Sequence, residues 1–141
     1  MVTSRQKILV QESFASLAPI AEDAMALFYR RLFELDPALR GMFPADMAAQ
    51  HRKLAQMLTA AVKGLDHLDR LVPVVQDLGR RHVGYGVTDA HYDTVGAALL
   101  WTLEKGVGPA FTSEMKDAWA TVYGVLATVM KDAARTQPAA A

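Results

Sequence analysis

Cysteine is absent from the 141 residues. That removes disulfides, thiolate nucleophiles, iron–sulfur clusters and zinc–thiolate sites together. Charge of one sign is lacking too: Lys plus Arg and Asp plus Glu both total 15, for a net charge of zero. With no basic stripe or acidic tail, neither a nucleic acid nor a membrane surface is an expected partner. Long apolar runs are missing. The longest charge-free stretches, around Thr94–Leu103 and Trp119–Met130, fall short of the about 20 residues that span a bilayer. Arg5 and Lys7 precede an apolar stretch, but Glu12 interrupts it before a secretory core forms. The expected location is the cytoplasm.

What is present is ordinary for a soluble domain: 52% hydrophobic and 21% charged residues, in a chain long enough to bury one sizeable core. The apolar period is helical almost throughout. Thr3 and Gln6 have capping-box spacing ahead of a stripe of Val10, Phe14 and Leu17. After Pro19 a second helix carries Met25, Phe28, Tyr29, Leu32 and Phe33. Asp36-Pro37 reads as an N-cap with proline in the first turn of a short helix that stops near Phe43-Pro44.

The next helix is expected over Asp46–Lys63, with Met47, Gln50, Leu54, Met57, Leu58 and Ala61 on one face and Gly64 at its end. Another is expected over Leu71–His82, aligning Leu71, Val75, Leu78 and His82, with Pro73 confined to its first turn. Gly84 and Gly86 then break the chain. Thr88 caps a helix with Tyr92, Val95, Leu99 and Leu103, ended by Gly106, Gly108 and Pro109. Thr112 opens the last helix, whose inward residues are Trp119, Val122, Tyr123, Leu126, Val129 and Met130. No strand pattern, repeat or linker interrupts this series. The expectation is one all-α domain over 1–134, with 135–141 as a disordered tail.

Three polar residues break the apolar stripes: Tyr29, Gln50 and His82. A buried polar group without a partner costs roughly 1–3 kcal/mol, so each needs a reason. His82 closes the stripe of Leu71, Val75 and Leu78. There an imidazole is either a core residue bonded to a backbone carbonyl or a metal ligand. Tyr29 fits a packing role with its hydroxyl at the surface, or a donor role inside; Gln50 fits a solvated stripe edge, or the same donor role. The four histidines, His51, His67, His82 and His91, lack the spacing of a zinc helix and have no thiolate company. His67, between Asp66 and Asp69, reads as a solvated loop residue. Neither a Gly-rich phosphate loop nor a nucleophile elbow is present.

In order and spacing, several segments resemble the globin family across nearly the whole chain. Phe28-Tyr29-Arg30-Arg31-Leu32-Phe33, then Pro37 and Phe43, resemble its second helix, turn and haem-stacking phenylalanine. Gln50-His51-Arg52-Lys53-Leu54 is similar to the distal-helix segment and Leu78-Gly79-Arg80-Arg81-His82 to the proximal one. Gly86-Val87, His91-Tyr92, Val95-Gly96, Leu99-Leu100, Leu103-Glu104-Lys105, Gly108-Pro109-Ala110-Phe111-Thr112, Ala118-Trp119 and Tyr123-Gly124 follow. The similarity is to bacterial single-domain haemoglobins, to the globin part of flavohaemoglobins and to neuroglobin.

This resemblance implies a globin fold whose helices pack around a pocket for haem b (heme b, iron protoporphyrin IX). It implies His82 as the iron ligand and Phe43 stacked on the porphyrin. Phe28, Leu32, Leu54, Leu78, Val87, Tyr92 and Val95 would line the slot, and Lys53 and Arg81 would meet the propionates. Tyr29 and Gln50 would be donors to bound O2, NO or CO, and the residues that carry any catalysis. The implied activity is reversible gas binding, with nitric oxide detoxification to nitrate; a non-enzymatic oxygen store, carrier or sensor is the alternative. The chain stops where a flavin reductase domain would begin, so an external electron-donating reductase is implied, with a monomer or weak homodimer as the assembly.

Two positions depart from the pattern. Counting from Trp119, the glutamate that flavohaemoglobin-type globins place behind the proximal histidine is Ala134 here. Neuroglobin's distal histidine falls at Gln50, while His51 is one residue further on. That step turns a side chain by about 100° on a helix, so His51 is expected to point away from the iron.

Overall fold

A computed structural model describes residues 2–84 and 87–135, with the backbone alone for 83 and 84. Six α-helices follow one another: α1 (Ser4–Leu17), α2 (Ala21–Leu35), α3 (Ala48–Gly64), α4 (Leu68–Gly84), α5 (Asp89–Val107) and α6 (Ser113–Arg135). Short 3-10 turns join them at Ala18–Ile20, Pro37–Met42, Leu65–His67 and Gly108–Ala110. Among the described residues there is no strand, as the helical period requires.

The helix ends sit where short polar side chains can satisfy orphan amides. Thr3 Oγ1 accepts from the Gln6 amide at 3.1 Å and the Gln6 side chain accepts from the Thr3 amide at 2.9 Å, a complete capping box. Asp36 accepts from the Ala38 amide at 3.2 Å and starts the turn over Pro37–Met42. Asp46 accepts from the Ala48 amide at 3.0 Å, so α3 begins two residues later than its apolar pattern indicates. The Thr88 amide donates to His91 Nδ1 at 3.0 Å, which gives His91 a structural task at the head of α5.

Further boundaries differ from the sequence expectation. α4 starts at Leu68 rather than Leu71, which leaves Pro73 inside the helix. A proline there removes one helical hydrogen bond, to the carbonyl four residues back. That carbonyl belongs to Asp69, and both residues are exposed, so the carbonyl need not be buried without a donor. Arg135 is the last residue of α6 rather than the first of a tail, held by Asp132 at 2.9 Å and Asp89 at 3.0 Å. Gly86 and residues 136–141 lie outside the described residues.

The core gathers Leu9, Val10, Phe14 and Leu17 of α1 with Met25, Phe28 and Leu32 of α2, Leu99 and Leu103 of α5, and Trp119 and Val122 of α6. Its polar insertion is self-contained: Trp119 Nε1 donates to Ser13 Oγ at 2.7 Å, and that hydroxyl donates to the Leu9 carbonyl at 2.7 Å. α2 lies along α5, and α4 lies along α6.

The α4–α6 contact explains Gly79. A Cβ built there would meet Met130 Cα at 2.6 Å and the Met130 carbonyl closer still. Both are backbone atoms, which cannot swing aside. Gly79→Ala is therefore expected to destabilise the fold by about 1–3 kcal/mol, the usual scale of overpacking, with a lower urea midpoint at unchanged slope. A midpoint equal to wild type would mean that α4 and α6 are not this close in solution.

Candidate functional site

Two clusters of polar and aromatic residues stand out against the apolar helices. The first is built on α2 and the start of α3. Tyr29 is 5% exposed and sits among rings: Phe28 at 5.0 Å, Phe43 at 5.4 Å, Phe33 at 6.0 Å and His51 at 5.6 Å between centroids. Gln50 Nε2 donates to the Tyr29 hydroxyl at 3.0 Å. Burial pushes the Tyr29 phenol above its ordinary value, and the Gln50 bond pulls it back only in part. The phenol is thus neutral near pH 7 and keeps its proton. Because its oxygen already accepts from Gln50, its own O–H remains to be donated onward.

The second cluster is built on α4 and α5. His82 is half-buried, and its Nδ1 lies 2.7 Å from the Leu78 carbonyl. A carbonyl can only accept, so Nδ1 carries the hydrogen, and in that tautomer Nε2 carries the lone pair that could ligate a metal. Burial lowers the His82 pKa most; the Leu78 bond works the other way, and nearby Arg81 lowers it further. The imidazole is therefore neutral at physiological pH, the form that ligates a metal. The Tyr92 ring lies 6.5 Å from it and is 8% exposed. Tyr123 fixes that stretch of α5 by donating its hydroxyl to the Tyr92 carbonyl at 2.6 Å. The Val87 amide donates to the His82 carbonyl at 3.3 Å, closing the corner between α4 and α5.

The remaining candidates separate by exposure. Leu32 is buried, while Leu54 and Val95 are partly buried against the same core. Leu78 and Val87 are half-buried. Lys53 is exposed, and Arg81 reaches outward to Asp77 at 3.1 Å. On α3 the apolar stripe of Met47, Leu54, Met57, Leu58 and Ala61 is only half-covered, and the fully buried positions are Ala55 and Val62. A cavity of about 40 Å³ lies behind this stripe, lined by apolar side chains that include Leu58, Leu99 and Trp119. It belongs to the core, not to either cluster.

Three features were not legible in the sequence. His51 does not swing clear of the distal cluster; its ring stacks on Tyr29 at 27° to the plane. Gln50 is bonded to Tyr29 rather than standing as a second, independent donor. At the proximal end, Lys131 Nζ sits 5.4 Å from the centre of the Tyr92 ring. Asp132, the nearest carboxylate in sequence to Ala134, is bound to Arg135 and exposed. Among the described residues, no group of three His, Cys, Asp or Glu side chains is placed to hold a metal, and no helix is long and apolar enough to cross a membrane.

Comparison with known proteins gives the family. A family model described as Globin matches residues 26–130, from within α2 to within α6. Neuroglobin of Danio rerio is 32% identical over 143 residues, covering 92% of this chain and 90% of that protein. The flavohemoprotein of Bordetella parapertussis is 33% identical over 144 residues, covering 100% of this chain. The chain spans only 36% of that flavohemoprotein's length. Among solved structures, an engineered carbene transferase from Rhodothermus marinus, a candidate nitric oxide dioxygenase, superimposes with a TM-score of 0.85 at 26% identity, covering 96% of this chain and 94% of that one. The chain belongs to the globin family.

The family implies a haem, and the residues here suit one. A porphyrin supplies four nitrogen ligands itself, so the protein needs to add a single neutral imidazole, and His82 is presented in that form. The half-covered apolar stripe of α3 and the ring of Phe43 offer the apolar surface that a porphyrin face requires.

Proposed function

We propose that this chain binds haem b through His82 and holds small diatomic gases, chiefly dioxygen, beside Tyr29, turning nitric oxide and dioxygen into nitrate. The observation that carries this reading is the 3.0 Å bond from Gln50 to a buried Tyr29 hydroxyl. When bound, haem supplies the ferrous iron that holds the gas and gives up one electron for each nitrate formed. His82 fixes that group by one nitrogen while Leu78 holds its other nitrogen and so sets the ring's orientation. Phe28, Leu32, Leu54, Leu78, Val87, Tyr92 and Val95 line the slot, and Phe43 stacks on the porphyrin. Lys53 and Arg81 pair with its propionates.

Gln50 positions Tyr29, whose O–H would donate a hydrogen bond to a bound gas while keeping its proton. A polar ligand such as dioxygen gains from that bond and carbon monoxide gains little. Nitrate formation consumes an electron per turnover, so a separate reductase returns the iron to the ferrous form. The Rhodothermus marinus neighbour supports this reading by its description, and the flavohemoproteins support the need for a reductase by theirs.

A second reading, an oxygen store or carrier, is favoured by one observation: the proximal side carries Ala134 at the position of the family's carboxylate, and the charge seated on Tyr92 is the cation of Lys131. A single mixing experiment separates them. Air-equilibrated ferrous protein mixed with one equivalent of nitric oxide is expected to yield close to one nitrate per haem, and repeated turnover once a reductase is added. One nitrate per haem with no reductase-driven turnover would favour the store. No Soret band on reconstitution with hemin would overturn both readings.

A further inference from the structure

We infer that Lys131 is an electrostatic tuning residue for the proximal site: its ammonium, seated on the Tyr92 ring behind His82, biases the bound iron toward the ferrous state. The inference rests on the haem reading above. It comes from placement. Lys131 Nζ is 5.4 Å from the Tyr92 ring centre, and that ring is 6.5 Å from the His82 ring. The aromatic face attracts a cation through its quadrupole, so the ammonium has a defined seat although its residue is only half-buried.

Three nearby carboxylates are committed to arginines, and a fourth, exposed Asp93 next to Tyr92, faces Tyr123. Asp89, which acts on Tyr92 from the head of α5, is bonded to Arg135 at 3.0 Å. Asp132, one residue along α6, is bonded to the same guanidinium at 2.9 Å. Asp77 on α4 is bonded to Arg81 at 3.1 Å. Among the described residues, no ion pair neutralises Lys131, whereas Arg81 on the histidine's own helix is paired with Asp77. His82 Nδ1 meanwhile donates to the Leu78 carbonyl, a neutral acceptor.

A ferric haem carries one more positive charge than a ferrous one. A cation seated behind the proximal histidine would therefore disfavour oxidation, in proportion to its Coulomb energy and less any screening by salt. The bias is modest, since water reaches the lysine.

Redox titration of the reconstituted holoprotein, buffered by mediators and followed at the Soret band, reads this directly. At fixed potential, Lys131→Met is expected to lower the ferrous-to-ferric ratio about threefold. Lys131→Glu is expected to lower it about tenfold, which is about 59 mV for a one-electron couple. Lys131→Arg restores the charge over the ring and is expected to titrate with wild type. The Met and Glu shifts should shrink as salt rises. Coincident titrations for wild type, Met and Glu would overturn the inference while leaving haem binding intact. An equal shift in all three variants, Arg included, would also overturn it and assign Lys131 a packing role. Failure of the wild type to form a Soret band would instead sink the haem reading itself.

Discussion

His82→Ala is expected to lose haem by more than about 100-fold in retention, and added imidazole is expected to restore much of the spectrum. The magnitude follows from what gentler changes do: altering only the outer partner of a metal-bound histidine typically costs roughly 10–100-fold. Here the ligand itself goes, and among the described residues no cluster of His, Cys, Asp or Glu stands ready to replace it. Imidazole should enter because the Leu78 carbonyl remains to orient it. The measurement is transfer of haem to an excess of apomyoglobin, with and without imidazole. Transfer at the wild-type rate, with an unchanged ferrous Soret band, would show that another residue holds the iron.

Tyr29→Phe is expected to speed dioxygen release by roughly 10- to 100-fold. One hydrogen bond to a charged acceptor is worth ~1.5–3 kcal/mol, and each ~1.4 kcal/mol is a factor of ten. The substitution also frees Gln50, whose amide now donates to Tyr29. If Gln50 reached the ligand in its place, the loss would sit at the lower end of that range. Carbon monoxide release should change far less, because that ligand is less polar when bound. Stopped-flow traces for both gases give the contrast: equal acceleration means a loosened pocket, and no acceleration for dioxygen means the hydroxyl points elsewhere.

The helix ends were the most legible part of the fold, because caps are local. Thr3 with Gln6, Asp36 before Pro37 and Thr112 before Met115 each settle a few amides within four residues. Pro73 misled for a related reason. Its cost to a helix is real, but at an exposed position the freed carbonyl need not be buried without a donor, and α4 runs through it. His82 was legible as a polar break in an apolar stripe; the structure shows the backbone-carbonyl bond of one reading, and that bond leaves a neutral tautomer suited to the other.

His51 failed differently. The 100° step from Gln50 is sound geometry, yet Tyr29 is broad enough to take Gln50 on its hydroxyl and His51 on its face. Ring size, not helical phase, decides that contact. The Ser13–Trp119 bond joins residues 106 apart in sequence, and no local pattern announces such a pair. Lys131 was invisible for a third reason. A long flexible cation finds its seat by reach, and periodicity says nothing of where its charge comes to rest.

The absent side chain at Gly79 makes α4 act as a lever. His82 is three residues further along the same helix, and the backbone of Met130 is the stop on which that helix rests. A methyl group inserted at the stop pushes the rod outward, and the imidazole travels with it. Position 79 thus ties two properties together: how closely two helices approach, and where the His82 imidazole comes to rest.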